Sequence, residues 1–350
     1  MTLLSFLFSS GARAGSADGP GWTRRSPKHW EISGASCVPY RDPESRSDAA
    51  RHNPIDIGDD DRGDHVKAGL TDARPALMPS SLRPAAVAGS FYPASPPALR
   101  AEVDALLHEA AASAPPVTGR PPKALIVPHA GYRYSGPVAA SAYALLSPSA
   151  ERIQRVVLVG PSHRVAFRGI ALPEAAAFDT PLGAVAIDAE AAASVPFVPR
   201  RAAPHAFEHA LEVQLPFLVR LLPRFGAVPI VAGDAEGEEV EGLLDALWGG
   251  PETLIIISSD LSHYLPYEEA RRIDEATAAR IVALSETPLH HDEACGATPV
   301  NGLILAARRR GLRPVQLDLR NSGDTEGSRD QVVGYGSFAF HEETGDLDGR

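Results

Sequence analysis

Short apolar runs alternate with longer stretches of helical periodicity through most of this chain. The runs Ala124–Val127, Arg155–Val159, Gly169–Leu172, Val228–Val231, Leu254–Ile257, Pro314–Leu317 and Val332–Phe340 predict strands. Between them, periodic apolar positions predict helices over Pro137–Leu146, Ala206–Leu222, Glu236–Leu247, Tyr267–Leu284 and Pro299–Arg310. An earlier helix is expected to start at Ser95 as N-cap with Pro96 behind it, and Leu99, Val103, Leu106 and Leu107 form its apolar stripe. Runs such as VVLVG and LIIIS are apolar almost throughout, as strands covered on both faces are. The pattern predicts one α/β domain of three layers, with a mostly parallel or mixed central sheet flanked by helices.

Residues 1–77 break this pattern. They carry an Asp-rich run at Asp59–Asp61 and no amphipathic period, so a disordered leader is expected, with the α/β domain over 78–350. The opening apolar run from Leu3 to Phe8 is short for a signal peptide and lacks a positive flank. Met78 stands immediately before the first patterned stretch, so translation is expected to start at or near it, the longer leader being a mis-annotated start. A formal charge of −11 argues against non-specific binding of nucleic acid. Two cysteines, Cys37 and Cys295, exclude a disulfide framework and a four-cysteine zinc site. With no apolar stretch of membrane-spanning length, a cytoplasmic protein is expected.

The chemistry collects at strand ends, where open α/β sheets bind ligands. ALIVP runs into His129, RVVLVGPS into His163, and TLIIISSDLS into His263, with Asp260 three residues before it. The loop HHDEACGATP brings Cys295 just ahead of the Pro299 helix. A single histidine is more often a satisfied polar residue than a ligand. Several at equivalent places of one sheet, near a thiol and a carboxylate, favour a metal or acid–base site. The segment HAFEHALEVQLPF, read as helix, places His205, His209 and Glu212 on one face, as a polar edge or a substrate-facing one. His290 and His291 read as solvated, and His108 as structural. Phosphate-loop, dinucleotide and GxSxG signatures are missing.

The segments PHAGYRYSGPVAASAYALL, GPSHR, EHALEVQLPFL, SSDLSHY and CGATPVNGLILAA together resemble the Memo family, whose bacterial members are called AmmeMemoRadiSam system protein B. The resemblance runs from about Arg83 to Phe340. It implies a fold like that of the LigB-type extradiol dioxygenases, non-haem iron enzymes that cleave catechol rings. It implies His129, His163 and Cys295 as metal ligands, with Asp260 and His263 beside them in the pocket. His209 and Glu212 match the family's His-x-x-Glu segment, to which no role attaches. In the dioxygenases the third ligand is a glutamate, where this chain has Cys295. A thiolate is softer than a carboxylate, suits copper(I), zinc or iron, and is itself oxidisable. The resemblance therefore implies iron(II) or copper and redox chemistry, with a radical-SAM protein and other members of the AmmeMemoRadiSam system as partners.

Three functions follow as expectations. In the first, a dioxygenase-like oxidoreductase, His129, His163 and Cys295 hold the metal and His263, oriented by Asp260, is the general base. Tyr132 and Tyr134 then line the pocket. The second is a metal-binding or protein-interaction module without turnover. The third is a thiol hydrolase or transferase in which His263 activates Cys295.

Overall fold

The computed structural model describes residues 82–113 and 121–342, and the backbone of two short strands before them. Those strands, β1 (Trp30–Ser33) and β2 (Ser36–Pro39), pair antiparallel. The rest of residues 1–77, expected to be disordered, and Met78 lie outside the described residues.

In chain order there follow β3 (Leu82–Arg83), α1 (Pro96–Ser113), β4 (Ala124–Val127), α2 (Tyr132–Tyr143), β5 (Arg155–Pro161), β6 (Ile170–Ala171), β7 (Ala177–Phe178) and β8 (Val185–Ala186). Next come α3 (Ala189–Ala193), α4 (Ala203–Ala206), α5 (Leu215–Leu221), β9 (Gly226–Ala232), α6 (Gly237–Ala246) and β10 (Thr253–Ser258). The chain continues through β11 (His263–Leu265), α7 (Tyr267–Val282), α8 (Ala297–Arg310), β12 (Leu312–Asn321) and β13 (Val332–Glu342). The central sheet has eight strands in the order β11-β13-β4-β10-β5-β9-β6, with β12 on β13. Strands β4, β10, β5 and β9 are parallel, and the outer strands run antiparallel to their neighbours. The sheet is therefore mixed. A smaller one, β3-β7-β8, stands apart.

Alternate residues of each central strand feed two separate cores. Ile126, Val157, Ile230 and Ile257 pack with Val240 of α6, Ile281 of α7 and Leu303 of α8. Leu125, Leu158, Val231 and Ile256 pack with Leu99 and Val103 of α1, Tyr143 of α2 and Phe217 of α5. This alternation makes the three layers, and it explains why the strands read as continuous apolar runs. Among the described residues no helix is long and apolar enough to cross a membrane.

Two helix expectations need correction. The one expected over Pro137–Leu146 begins earlier, at Tyr132, and gives way to a 3-10 turn over Ala144–Ser149. The one expected over Ala206–Leu222 is not continuous: α4 ends at Ala206, the chain bends, a 3-10 turn covers Glu212–Gln214, and α5 follows. Pro216 explains part of this, because it has no N–H to give the carbonyl of Glu212 in an unbroken helix, yet it fits the first turn of α5. His205, His209 and Glu212 accordingly do not share a helix face. His108 lies exposed on α1, and His290 and His291 are exposed as expected.

Candidate metal centre

Strand order decides what meets at the carboxyl edge. Because β10 lies between β4 and β5, Ser258, Ser259 and Asp260 emerge between His129 and His163. The His129 and His163 rings stand 5.1 Å apart, edge to face. Cys295 arrives from the loop before α8, with its Sγ 3.3 Å from His129 Nε2. One ligand atom from each of His129, His163 and Cys295 lies within 4.8 Å of the other two.

Each imidazole is turned by a bond at its other nitrogen. Ser258 Oγ donates to the Ala210 carbonyl at 2.7 Å and accepts from Gln214 Nε2 at 2.8 Å. Its one proton is thereby used, so His129 Nδ1, 2.9 Å away, is the donor and Nε2 keeps its lone pair toward Cys295. Gln214 is held in turn by Tyr143 and by the Pro128 carbonyl. His163 Nδ1 lies 2.9 Å from Glu208 Oε1, and the His163 backbone N–H donates to Glu208 Oε2 at 2.6 Å. That is the carboxylate–histidine arrangement that fixes ring and tautomer in metal sites.

Glu208 was not among the residues singled out from the sequence. Read as helix, the segment drew attention to His205, His209 and Glu212, whereas the bend after α4 sends Glu208 to the site and Glu212 away from it. The bend lies hard against β5, where Gly160 allows it: a Cβ there would stand 2.9 Å from a methyl of Leu211 and 3.3 Å from Ala210. The adjacency of Glu208 to His209 was the available signal.

The electrostatics follow from these contacts. Burial raises the Cys295 thiol, but His129 and then His163 outweigh it and bring it down to about 6. The Asp260 backbone N–H, donating to Sγ at 3.3 Å, acts in the same direction. Burial opposes charge on both His163 and Glu208, yet each stabilises the other: Glu208 is held well below the carboxylate range and His163 well above the imidazole range. Burial, aided by the charge of His163, drives His209 well below its ordinary value.

Asp260 accepts the His129 backbone N–H at 2.7 Å, and burial raises its carboxyl against the pull of His263. It acts on the His263 ring through its charge rather than through a hydrogen bond. His263 lies on β11, half-buried, where burial lowers its pKa although Asp260 works the other way. The next residue, Tyr264, has φ +57°, and the pairing of β11 with β13 shifts register there. This left-handed kink is costly for a tyrosine and sits beside the site.

Three expectations change. The imidazole 3.3 Å from the thiol is that of His129, not of His263. Tyr132 turns into the core, its hydroxyl donating to the Val213 carbonyl and its ring against Phe217, so it does not line the pocket. Glu212 is fully buried away from the centre, accepting from Arg83, Tyr92 and the backbone of Ala86 and Val87. Tyr134 is partly buried with Arg133 over its ring. His209 stacks on His163 at 4.6 Å and stands edge-on to His129 at 5.5 Å. His163, Glu208 and His209 form a second group of three with donor atoms within 4.8 Å.

The donor set fits a metal. Around a tetrahedral first-row ion, with bonds of about 2.0 Å to nitrogen and 2.3 Å to sulfur, neighbouring N and S atoms stand about 3.5 Å apart. The observed Sγ to Nε2 separation of 3.3 Å is close to that.

Fold and site together define an α/β protein with two imidazoles and one thiolate converging at the carboxyl edge of a mixed sheet. The family model described as Memo-like protein matches residues 83–339. A MEMO1 family protein of Aquifex aeolicus is 36% identical over 273 residues, covering 74% of this chain and 99% of its own. Another from Methanopyrus kandleri is 34% identical over 281 residues, covering 74% and 98%, and one from Sulfolobus acidocaldarius is 34% identical over 284, covering 74% and 99%. The chain belongs to the Memo-like protein family.

Proposed function

We propose that this protein holds iron(II) or copper on His129 Nε2, His163 Nε2 and Cys295 Sγ, and that the centre carries redox chemistry on a small substrate, in the manner of the extradiol dioxygenases. One observation carries the reading. Two imidazoles with their Nδ1 positions already engaged converge with a low-pKa thiol on one point, where a metal takes the place of the proton that His163 Nε2 holds. When bound, the metal supplies a redox-active Lewis acid with open positions for substrate. The chain supplies the rest. Ser258 and Glu208 fix the two rings, and the Asp260 N–H supports the thiolate. His263, kept neutral by burial, accepts a proton from a phenol or similar acid. The family resemblance supports a radical-SAM protein and other AmmeMemoRadiSam proteins as partners, and the lack of a membrane-spanning apolar stretch in the sequence supports a cytoplasmic setting.

The test is elemental analysis of the anaerobically purified full chain beside His163→Ala and Cys295→Ala. Near-stoichiometric iron or copper is expected in the parent and background levels in both variants, with unchanged circular dichroism. A parent that contains neither metal and takes up neither Fe(II) nor Cu(I) overturns the proposal.

A further inference from the structure

The segment that carries His263 is held by a strand and by a helix. β11 ends the central sheet, and among the described residues no strand lies beyond it. On the inner side Gly334 of β13 serves it: the Gly334 carbonyl accepts the Leu261 N–H, and the Gly334 N–H donates to the Ser262 carbonyl, both at 2.8 Å. The Ser262 N–H takes no strand partner. It donates instead to Asp274 Oδ1 of α7, at 3.0 Å. Asp274 is 2% exposed, and its Oδ2 is shut off from solvent and makes no hydrogen bond. The slot it fills exists because residue 334 is a glycine. A Cβ there would stand 2.1 Å from Oδ2 and 2.5 Å from Oδ1.

A carboxyl in this place works against stability. Burial, its largest influence, outweighs Ser262 and pushes it up to about 6. An oxygen buried without a partner also forfeits its hydration. Two residues past Ser262, Tyr264 at φ +57° adds strain of its own. Such strain persists only where the surroundings over-determine the backbone, and it gathers at working parts of a site. The two unfavourable features flank one side chain, that of His263. Resting on the reading of His263 as the proton acceptor, we propose that Asp274 is its positioning residue. The bond from Ser262 to Asp274, in the slot that Gly334 leaves, holds the Ser262–Tyr264 turn and so keeps the His263 ring within reach of the Asp260 charge.

The test follows the His263 imidazole by nitrogen-15 NMR on the metal-free full chain between pH 5 and 8, its signals assigned with His263→Gln. In the wild type His263 is expected to titrate below the ordinary 6.5. Asp274→Asn keeps a carbonyl oxygen for the Ser262 N–H and is expected to leave the ring shifts and their midpoint in place. Asp274→Ala removes the acceptor, and the gentler Asp274→Ser carries a hydroxyl too short to replace it. In both, the midpoint is expected to rise toward 6.5 as the ring leaves its buried place, with Fe(II) uptake unchanged. A His263 midpoint unmoved in Asp274→Ala and Asp274→Ser overturns the proposal, however far the unfolding temperature falls, because Asp274 then serves the fold alone. So does an Asp274→Asn chain whose His263 titrates like that of Asp274→Ala. A wild-type His263 still protonated at pH 7 defeats its reading as the proton acceptor instead, and the same variants still decide whether Asp274 positions it.

Discussion

Glu208 and Glu212 stand four residues apart on one segment, and both are shut off from solvent, yet they do opposite things. Glu212 faces the strand and loop over Arg83–Tyr92. Its Oε1 accepts from Val87 N and Tyr92 OH, and its Oε2 accepts from Ala86 N and Arg83. Both oxygens are engaged by groups whose only role is to hold chain to chain. Arg83 then reaches on to the carbonyls of His205 and Glu208, which ties the bend in place. Glu208 also accepts backbone N–H groups, from His163 and Ala210, but its decisive partner is a ring whose other nitrogen faces the centre. A buried carboxylate thus becomes functional through what its partner does next, not through burial or an altered pKa.

The contrast is tested most severely at Glu212. Glu212→Ala leaves the Arg83 guanidinium buried without its acid, and about 3–5 kcal/mol of stability should go. Urea unfolding measures this, and whatever folds should bind metal as the wild type does. A loss under 1 kcal/mol by that assay would show that the network is not structural.

His205, on the same side of the contrast, predicts a pH effect. Burial, the largest influence, lowers it from 6.5 to about 4. The folded state therefore binds fewer protons than the unfolded one between those values. Its stabilising share is fully present above pH 6.5 and is lost as pH falls toward 4, by up to about 3 kcal/mol. Unfolding midpoints at pH 7.5 and 4.5 should converge in His205→Gln relative to wild type. Parallel curves for the two proteins would refute the assignment.

Glu208→Gln should depart from Glu212→Ala at the centre. Stability falls as well, because the amide cannot accept from the His163 and Ala210 N–H groups on both sides, but here metal affinity drops too, about 10–100-fold, as His163 loses its orienting carboxylate. Competition with a chelator reads the affinity, and unchanged affinity would make Glu208 a second structural acid.

The smallest effect belongs to the glycine that lets the bend approach β5. Gly160→Ala should cost on the order of 1 kcal/mol through overpacking against Leu211 and Ala210, with a weaker loss of metal affinity than Glu208→Gln. Thermal unfolding and the same chelator competition separate the two.

Much of this was legible beforehand, for identifiable reasons. Strands β4, β5, β9 and β10 are buried on both faces and so read as uninterrupted apolar runs, and the residues just past three of them stood out as histidines. Order within the sheet was not legible, because nothing in β10 itself says that it inserts between β4 and β5. The bend was missed because the spacing of His205, His209 and Glu212 imitates a helix face, while Pro216 and the demands of Glu208 act through tertiary contacts. The core position of Tyr132 depends on Phe217 and Val213, more than 80 residues on in the chain. The kink at Tyr264 has no glycine to announce it.

The place of β10 also bears on how the molecule comes into being. Strands β4 and β5 are translated long before the strand that separates them, so contacts between them and β10 span roughly a hundred residues of chain. Such non-local pairing slows folding, because loop closure comes before any reward. A nascent chain halted before Thr253 would present two unpaired inner edges, which are open to aggregation. His129 and His163 acquire Ser258 between them only when that gap closes, so competence of the centre arrives with completion of the sheet and not before.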